Sequence, residues 1–152
     1  MAEKSLNDYL RDGLRPYGRT MRVENAVGPG TPDVYARLVR PAVLHLWVEN
    51  KALPGWPKRA TTVVQCRHYT TQQRTWHRTW RAQGHAVAVF VRVGRCYLLL
   101  DAGVACGALG YVTREALMEA SLGVWHHRVD WGQWAELVVG HTWAAVLPAP
   151  CI

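Results

Sequence analysis

The segment 44–51 constrains the fold most, because its apolar and polar residues alternate and it ends in the pattern Glu-x-Lys. Alternation with a period of two is typical of a β-strand, in which successive side chains point to opposite faces of a sheet. The apolar face would hold Leu44, Leu46 and Val48, and the other face His45, Trp47, Glu49 and Lys51. Glu49 and Lys51 should therefore emerge on one face, about 7 Å apart.

An aspartate opens the apolar run that precedes this strand. Asp33 follows the loop sequence Gly-Thr-Pro, and residues 33–39 predict a second strand. If the two strands are neighbours, Asp33, Glu49 and Lys51 bring two carboxylates and one ammonium group to one spot. Such a group suits a hard divalent cation, with the lysine close to the water that the cation activates. The residues therefore predict metal-dependent cleavage of a phosphodiester.

The rest of the chain predicts further strands and several helices in one domain, residues 1–152. Helices are predicted at residues 5–13, 71–83, 113–121 and 131–138. Strands are predicted at 33–39, 44–51, 61–66, 86–91 and 96–100, with a short strand or helical turn at 21–24. No repeat or low-complexity linker divides the chain, and a chain of this length buries roughly 70% of its unfolded surface. We therefore expect one domain with a substantial core.

The predicted helix 71–83 has two contrasting faces. One face holds Gln73, Trp76 and Trp80, and the opposite face holds Arg74, Arg78 and Arg81. We expect the first face to point inward, with Trp76 and Trp80 in the core rather than stacking on bases. The three arginines are expected to point toward solvent or a ligand.

Positive charge is concentrated in the middle of the chain. The sequence has 18 basic against 11 acidic residues, and no Asp or Glu occurs between Asn50 and Leu100. Such a basic block indicates a polyanionic partner, although a solvated face that only aids solubility is the alternative. The side chains assigned to polyanion contact are Lys58, Arg59, Arg67, His68, Arg74, Arg78 and Arg81.

Cysteine spacing and hydropathy exclude several other classes of protein. The cysteines (Cys66, Cys96, Cys106 and Cys151) form no CxxC pair, so we expect free or buried thiols and no zinc site. No apolar run approaches the roughly 18 residues of a membrane span. The first residues do not resemble a signal peptide, and we expect a cytoplasmic protein, in the host cytoplasm if it is phage-encoded.

Several short motifs occur in order along the chain. They are Arg22-Val23-Glu24-Asn25, Gly30-Thr31-Pro32-Asp33, Trp47-Val48-Glu49-Asn50-Lys51, Gln73-Arg74-Thr75-Trp76 and the strand Val87 to Val91. Together they resemble the PD-(D/E)xK nuclease superfamily, most closely its virus-type replication-repair nuclease (VRR-NUC) branch. Members of that branch are small stand-alone phage proteins or C-terminal domains of DNA repair enzymes. The resemblance covers about residues 20–101, which leaves a Trp-rich, helical C-terminal extension at 105–152.

The resemblance implies an α/β fold of the restriction-endonuclease type, with a central mixed sheet flanked by helices. It implies Mg²⁺, with Mn²⁺ as a substitute, bound by Asp33, Glu49 and the backbone carbonyl of Asn50, with Glu24 completing the acidic set. Lys51 would orient the attacking water or stabilise the transition state, and Gln73 would contact the lysine, the water or the phosphate. Asn50 replaces the apolar residue common at its position, with little expected chemical consequence because it points to the opposite face.

Stand-alone members of this branch resemble Holliday junction resolvases, which implies a homodimer that cuts branched DNA. A four-way junction has two equivalent strands, so a twofold dimer presents two matched active sites. One alternative is another nuclease of the same fold, of flap, nicking or restriction type. The other is an inactive nucleic-acid-binding module.

The individual residues also have structural interpretations. Asp33 suits a turn or a helix cap, Glu24 suits an ion pair with an arginine, and Glu49 with Lys51 suits a surface ion pair on an edge strand. Gln73 suits the first turn of a helix, where it would satisfy a buried strand end. The tryptophans Trp125, Trp131, Trp134 and Trp143 either complete the core or form a partner surface.

Overall fold

Six strands form one mixed sheet whose spatial order follows the sequence, β1-β2-β3-β4-β5-β6. The structure is a computed structural model and describes residues 3–24 and 28–145. The strands are β1 Gly18–Arg22, β2 Val34–Leu38, β3 Leu44–Leu53, β4 Val87–Val93, β5 Cys96–Asp101 and β6 Gly123–His126. The helices are α1 Glu3–Leu14, α2 Thr71–Ala82, α3 Ala102–Ala108, α4 Arg114–Ala120 and α5 Trp131–Gly140. The predicted fold class, a mixed sheet flanked by helices, is confirmed.

β3 and β4 pair in parallel, whereas the other neighbouring strands pair antiparallel. Parallel neighbours need a long crossover, and the segment containing α2 provides it. The β3–β4 register places Glu49 beside Val89 and Lys51 beside Val91. The catalytic candidates of β3 therefore lie in the middle of the sheet, where both neighbouring strands hold the backbone in place.

Two hydrophobic cores cover the two faces of the sheet. The first core lies under α1 and α5 and includes Leu6, Leu10, Leu14, Val34, Ala36, Leu38, Leu46, Val48, Phe90 and Trp134. The second core lies under α2, α3 and α4 and includes Val87, Val89, Val91, Leu98, Leu100, Ala105, Leu109 and Leu117. β4 contributes to both cores, as its near-continuous apolar sequence predicted.

The Trp-rich C-terminal region completes the first core. Trp125, Trp134 and Trp143 are buried there, and Trp131 packs against it half-buried. The expected helical extension also supplies a strand, since β6 pairs with β5 at the edge of the sheet. Of the two interpretations of these tryptophans, the structure supports the core.

The predicted helices occur where the sequence placed them, but four other elements differ from prediction. The strand expected at 61–66 is wrong, because this segment forms only a single bridge between Val63 and Thr113. α3 and β6 were not predicted, and β1 lies at 18–22 instead of 21–24. These short elements have weak periodicity of their own, and packing on the sheet decides their conformation.

The expectation of buried thiols agrees with the described residues. Cys66, Cys96 and Cys106 are buried and form no disulfide with one another, whereas Cys151 lies outside the described residues. Asn25 of the first motif is also outside them. Among the helices in the part of the chain that the structure describes, none has the length and apolar character needed to cross a membrane.

Candidate active site

Asp33 and Glu49 meet where β2 and β3 begin to pair. The register places Val34 opposite Val48, so Asp33 lies next to Glu49 on the adjoining strand. The backbone N–H of Asp33 donates to Oε2 of Glu49 at 3.1 Å, and the backbone N–H of Asn50 donates to Oδ2 of Asp33 at 3.3 Å. Each carboxylate is therefore held by the strand that carries the other.

Lys51 lies on the same face and completes the group. Its Nζ is 3.5 Å from Oε1 of Glu49, and it donates a hydrogen bond of 2.8 Å to the backbone carbonyl of His68. The Lys51 and Glu49 side chains are only 3% and 0% exposed. The pair is consequently not a surface ion pair, and the ammonium group has a defined position.

The charge of Glu49 is poorly compensated. Burial, followed by the neighbouring charge of Asp33, raises the pKa of Glu49 to about 9, and the attraction of Lys51 offsets this only in part. Within the described residues, Oε1 of Glu49 is buried and accepts no hydrogen bond. A buried carboxylate oxygen in this condition is suited to a cation, which would favour its ionised form.

The residues fit a magnesium ion with two carboxylate ligands. Mg²⁺ keeps several waters and needs only one or two protein carboxylates, so Asp33 and Glu49 are sufficient, with the backbone carbonyl of Asn50 next in the chain. Among residues 3–24 and 28–145, no group of three or more His, Cys, Asp or Glu side chains could hold a metal. The site therefore relies on fewer acidic residues than the resemblance implied.

Glu24 does not join the group formed by Asp33, Glu49 and Lys51. It lies just beyond β1 and is exposed, although the preceding Val23 donates its N–H to the carbonyl of Asp33 at 2.8 Å. The backbone thus approaches the site, but in the described residues no three-carboxylate cluster forms. The expectation that Glu24 completes the acidic set is not supported by this arrangement.

Gln73 lies beside the site but has a structural role. Its Oε1 accepts the N–H of Thr70 at 2.9 Å, and Oγ1 of Thr70 accepts the N–H of Gln73 at 3.2 Å, which together form a capping box for α2. Gln73 and Asp33 line one cleft of about 520 Å³. In the part of the chain that the structure describes, no hydrogen bond engages the Gln73 side-chain amide nitrogen, which is therefore available to a phosphate or a water.

The cleft depends on a glycine. Gly30 adopts a φ of +86°, and a Cβ there would lie 2.4 Å from the carbonyl oxygen of Gln72. Only glycine tolerates both the conformation and the contact. Glycine at position 30 is therefore needed for the loop to approach the first turn of α2.

Asn50 points away from the site, as predicted from alternation. It is fully buried, and its Nδ2 donates to Oδ1 of Asn7 in α1. This bond connects α1 to the strand that carries Glu49 and Lys51. The sequence suggested no such connection, because 43 positions separate the two asparagines.

A buried pair of side chains that the sequence did not reveal lies close to Lys51 and holds the loop that binds it. Tyr69 and His77 are buried, and the Tyr69 hydroxyl and His77 Nδ1 form a hydrogen bond of 2.6 Å. Burial, reinforced by the charges of Lys51 and Arg74, lowers the pKa of His77 to about 3. Tyr69 follows His68, so this bond anchors the loop whose carbonyl binds Lys51.

Two of the arginines expected to face a ligand point into the protein. Arg74 donates to the carbonyls of Tyr69 and Cys106 at 3.2 and 3.0 Å, and Arg81 forms a bidentate ion pair with Asp101 at 2.7 and 3.0 Å. Arg81 also donates to the carbonyl of Trp143 at 2.6 Å. The prediction that Arg74 and Arg81 point toward solvent or a ligand is wrong, because α3 packs against that side of α2. The assigned residues that remain exposed are Lys58, Arg59, Arg67, His68 and Arg78.

The tryptophans of α2 form a half-buried aromatic cluster. Trp76 and Trp80 stack with centroids 4.5 Å apart, and Trp76 meets Trp47 of β3 edge-on at 5.5 Å. They pack against the second core, as expected, but each keeps part of its ring at the surface. The fully buried side chain of α2 is His77.

Comparisons with known proteins find similarity among solved structures. No protein-family model and no curated protein matches the chain. Among solved structures, the chain is similar to Hjc, a Holliday junction resolvase from Archaeoglobus fulgidus. The two share 18% identity over 64% of this chain and 73% of that chain, with a TM-score of 0.40. At this level of similarity, the chemistry of the site has to be argued from its own residues.

Proposed function

We propose that the chain is a metal-dependent endonuclease that hydrolyses phosphodiester bonds in DNA. The observation that supports this most is the group formed by Asp33, Glu49 and Lys51. Two adjoining carboxylates and one ammonium group are fixed by backbone hydrogen bonds, and one carboxylate oxygen lacks a hydrogen-bond donor. Burial and the neighbouring Asp33 also raise the pKa of Glu49 strongly, and such perturbed groups are concentrated at functional sites.

Asp33, Glu49 and the carbonyl of Asn50 would hold Mg²⁺ or Mn²⁺. When bound, such an ion lowers the pKa of a water and offsets the charge that develops on the phosphate oxygens. Lys51 provides a further positive charge whose position is fixed by Glu49 and by the carbonyl of His68. Its role is to orient the attacking water or to stabilise the charged phosphate, and preorganisation makes such a charge effective.

Other residues would bind and position the DNA. The amide nitrogen of Gln73 and the first turn of α2 lie at the cleft beside Asp33, and a helix N-terminus favours a phosphate. Glu24 remains a candidate for a supporting role from the end of β1. The exposed side chains proposed to contact the DNA backbone are Lys58, Arg59, Arg67, His68 and Arg78.

We further propose branched DNA as the substrate and a homodimer as the active form. This part rests on the motif resemblance and on the symmetry of a four-way junction, whose two equivalent strands match two sites related by a twofold axis. A flap, nicking or restriction nuclease would use the same active site. Only the substrate preference distinguishes these enzymes from a resolvase.

Cleavage of matched synthetic substrates tests the proposal. A four-way junction, a flap, a linear duplex and a single strand are incubated with Mg²⁺ or Mn²⁺, with EDTA and Lys51→Ala as negative controls and Arg95→Ala as a matched control. We expect symmetric junction cutting that is lost with EDTA and in Lys51→Ala but retained in Arg95→Ala. Equal cutting of linear duplex would contradict the junction preference only. Tight DNA binding with no metal-dependent cutting would contradict the nuclease and favour the binding module.

A further inference from the structure

The sheet face that carries Glu49 extends away from the active site across β1, β2 and β3. Because directly paired residues lie on the same face, the register identifies the side chains of this surface. They are Arg19, Met21, Tyr35, Arg37, His45 and Trp47. Arg19, Met21, Arg37 and His45 are exposed, and Met21 is 61% exposed. We refer to these six side chains as the open face.

Two arginines lie directly opposite each other on the open face. Arg19 pairs with Arg37, and Arg37 in turn pairs with His45. Side chains at such positions are about 4.5–5.5 Å apart at Cβ, and like charges there are destabilising. Within the described residues, neither Arg19 nor Arg37 forms an ion pair with an acidic side chain. The fold therefore keeps two uncompensated charges side by side.

More positive charge surrounds this pair. Arg15, Arg19, Arg37 and Arg40 line one cleft of about 400 Å³ at the end of α1. Of these, Arg15 is paired with Asp12, and Arg40 donates to the carbonyl of Pro16 at 3.2 Å. The cluster lies outside the basic block at 51–95, so charge counting along the sequence did not reveal it. Its composition matches a ligand with several negative charges.

The arginine pair lies at a fixed distance from the active site. Arg37 is four residues beyond Asp33, which is about 13 Å along a strand. That length corresponds to about four nucleotides at 3.4 Å of rise per nucleotide. Between the two positions lie Tyr35 and Trp47, whose rings are 5.1 Å apart. A duplex with one phosphate at Asp33 and Glu49 would reach the arginine pair without bending.

We propose that Arg19 and Arg37 bind the phosphate backbone of the DNA duplex about four base pairs from the bond that is cut. This inference rests on the proposed function, since it takes the nuclease substrate as the polyanion. A second copy of the chain is a poorer occupant, because a twofold contact through this face would place arginines against arginines.

Salt-dependent DNA binding of a neutralised variant tests the inference. Arg19→Gln/Arg37→Gln is compared with Arg95→Gln/Arg128→Gln, which removes the same charge from exposed residues near the β5–β6 edge. Binding of a duplex and of a four-way junction is measured in EDTA, so no cleavage occurs. We expect the slope of log K against log salt to fall by about 1.8 for two lost phosphate contacts. That change corresponds to about 30-fold weaker binding at 0.15 M salt, with less than about twofold change in the control.

A charge-preserving variant separates binding from folding. Arg19→Lys/Arg37→Lys should keep the wild-type salt slope, because Lys also neutralises a phosphate. An unchanged slope in Arg19→Gln/Arg37→Gln, or an equal loss in the control, would overturn the inference. A change in sedimentation of that variant without a change in DNA binding would instead indicate a second copy on this face.

The same experiment distinguishes this inference from the proposed function. If the wild-type protein binds DNA through Arg19 and Arg37 but cleaves no substrate, the proposed nuclease function is contradicted. The inference about DNA binding by the two arginines then still holds. If the wild-type protein cleaves DNA and the Arg19 and Arg37 substitutions do not affect binding, the nuclease function stands. The inference that Arg19 and Arg37 bind DNA is then overturned. Absence of any DNA binding would contradict both.

Discussion

The side chain of Glu49 is completely buried, yet it lies next to a second carboxylate, that of Asp33. Burial in a low-dielectric environment disfavours the charged form, and the charge of Asp33 acts in the same direction. Because the two residues lie next to each other on paired strands, their carboxylates cannot move apart. At the scale of single residues, the site is thus held in an electrostatically unfavourable state that a bound cation would relieve.

Replacing Glu49 with Gln should abolish cleavage and stabilise the metal-free protein at pH 8. The folded-state pKa of about 9 lies above the usual glutamate pKa of 4.5. Between these values the folded protein binds a proton that the unfolded chain has released, so stability falls as pH rises, by at most about 1.4 kcal/mol per pH unit. Gln removes this dependence, and each 1 kcal/mol regained raises the melting temperature by about 2–4 °C.

Thermal unfolding in EDTA at pH 5 and pH 8 measures this effect. Glu119→Gln, at an exposed position of α4, provides a matched control with the wild-type pH dependence. Addition of Mg²⁺ at pH 8 should raise the melting temperature of the wild type and not that of Glu49→Gln. A Glu49→Gln variant with the same loss of stability between pH 5 and pH 8 as the wild type would contradict this account of Glu49.

At the scale of structural elements, the loop before α2 determines where Lys51 lies. This loop has no ladder hydrogen bonds beyond the bridge at Val63, so side chains hold it in place. Tyr69 bonds to His77, and the Arg74 guanidinium lies 4.1 Å from the centre of the Tyr69 ring. The capping box at Thr70 begins α2 directly after the loop. The position of Lys51 and the stability of α2 are therefore connected.

Tyr69→Phe should destabilise the protein by about 1–3 kcal/mol. Removing the hydroxyl leaves Nδ1 of the buried His77 without a partner, and an unsatisfied buried polar group has a cost of that size. Tyr111→Phe is the matched control, because Tyr111 is 65% exposed and should change stability by less than about 0.5 kcal/mol. Urea denaturation of both variants measures the difference. Equal, small effects would show that the Tyr69–His77 bond does not stabilise the loop.

At the scale of the whole molecule, Asp101 connects distant parts of the chain. It ends β5, caps α3 through the N–H of Gly103, and pairs with Arg81 of α2 and with His141 after α5. Burial opposes its ionisation, but the hydrogen bonds from Arg81, His141 and Gly103 outweigh burial, so the pKa of Asp101 lies below its usual value. Four separate segments of the fold thus depend on one ionised carboxylate.

Asp101→Asn should destabilise the protein by about 3–5 kcal/mol at pH 7, because it leaves the largely buried Arg81 guanidinium without its anionic partner. The depressed folded-state pKa means that the contribution of Asp101 is present above the unfolded value of 3.8 and is lost as pH falls through the folded value. Asp12→Asn is the control, since the Asp12 contacts with Arg11 and Arg15 are exposed and contribute no more than about 1 kcal/mol. Denaturation at pH 7 and pH 3 compares the two variants. A loss at pH 7 no larger than that of Asp12→Asn would refute the structural role.

The sequence by itself determined the features that depend on local periodicity and on capping. Alternation placed Glu49 and Lys51 on one face of β3 and Asn50 on the other, because a strand has a period of two regardless of its partners. Turn and capping residues placed α2 within one residue of its observed start. The meeting of Asp33 with Glu49 was predicted on the condition that their strands are neighbours, and the pairing of Val34 with Val48 fulfils this condition.

Only the tertiary structure decided which side chains of the same type face the solvent. Helical periodicity assigned Arg74, Arg78 and Arg81 to one face, but the packing of α3 directs two of them inward and leaves Arg78 exposed. The pairing of Arg19 with Arg37 depends on the register of β1 against β2, which no local pattern specifies. Contacts between distant segments depend on how elements pack against one another, and residue spacing along the chain contains no direct record of that packing.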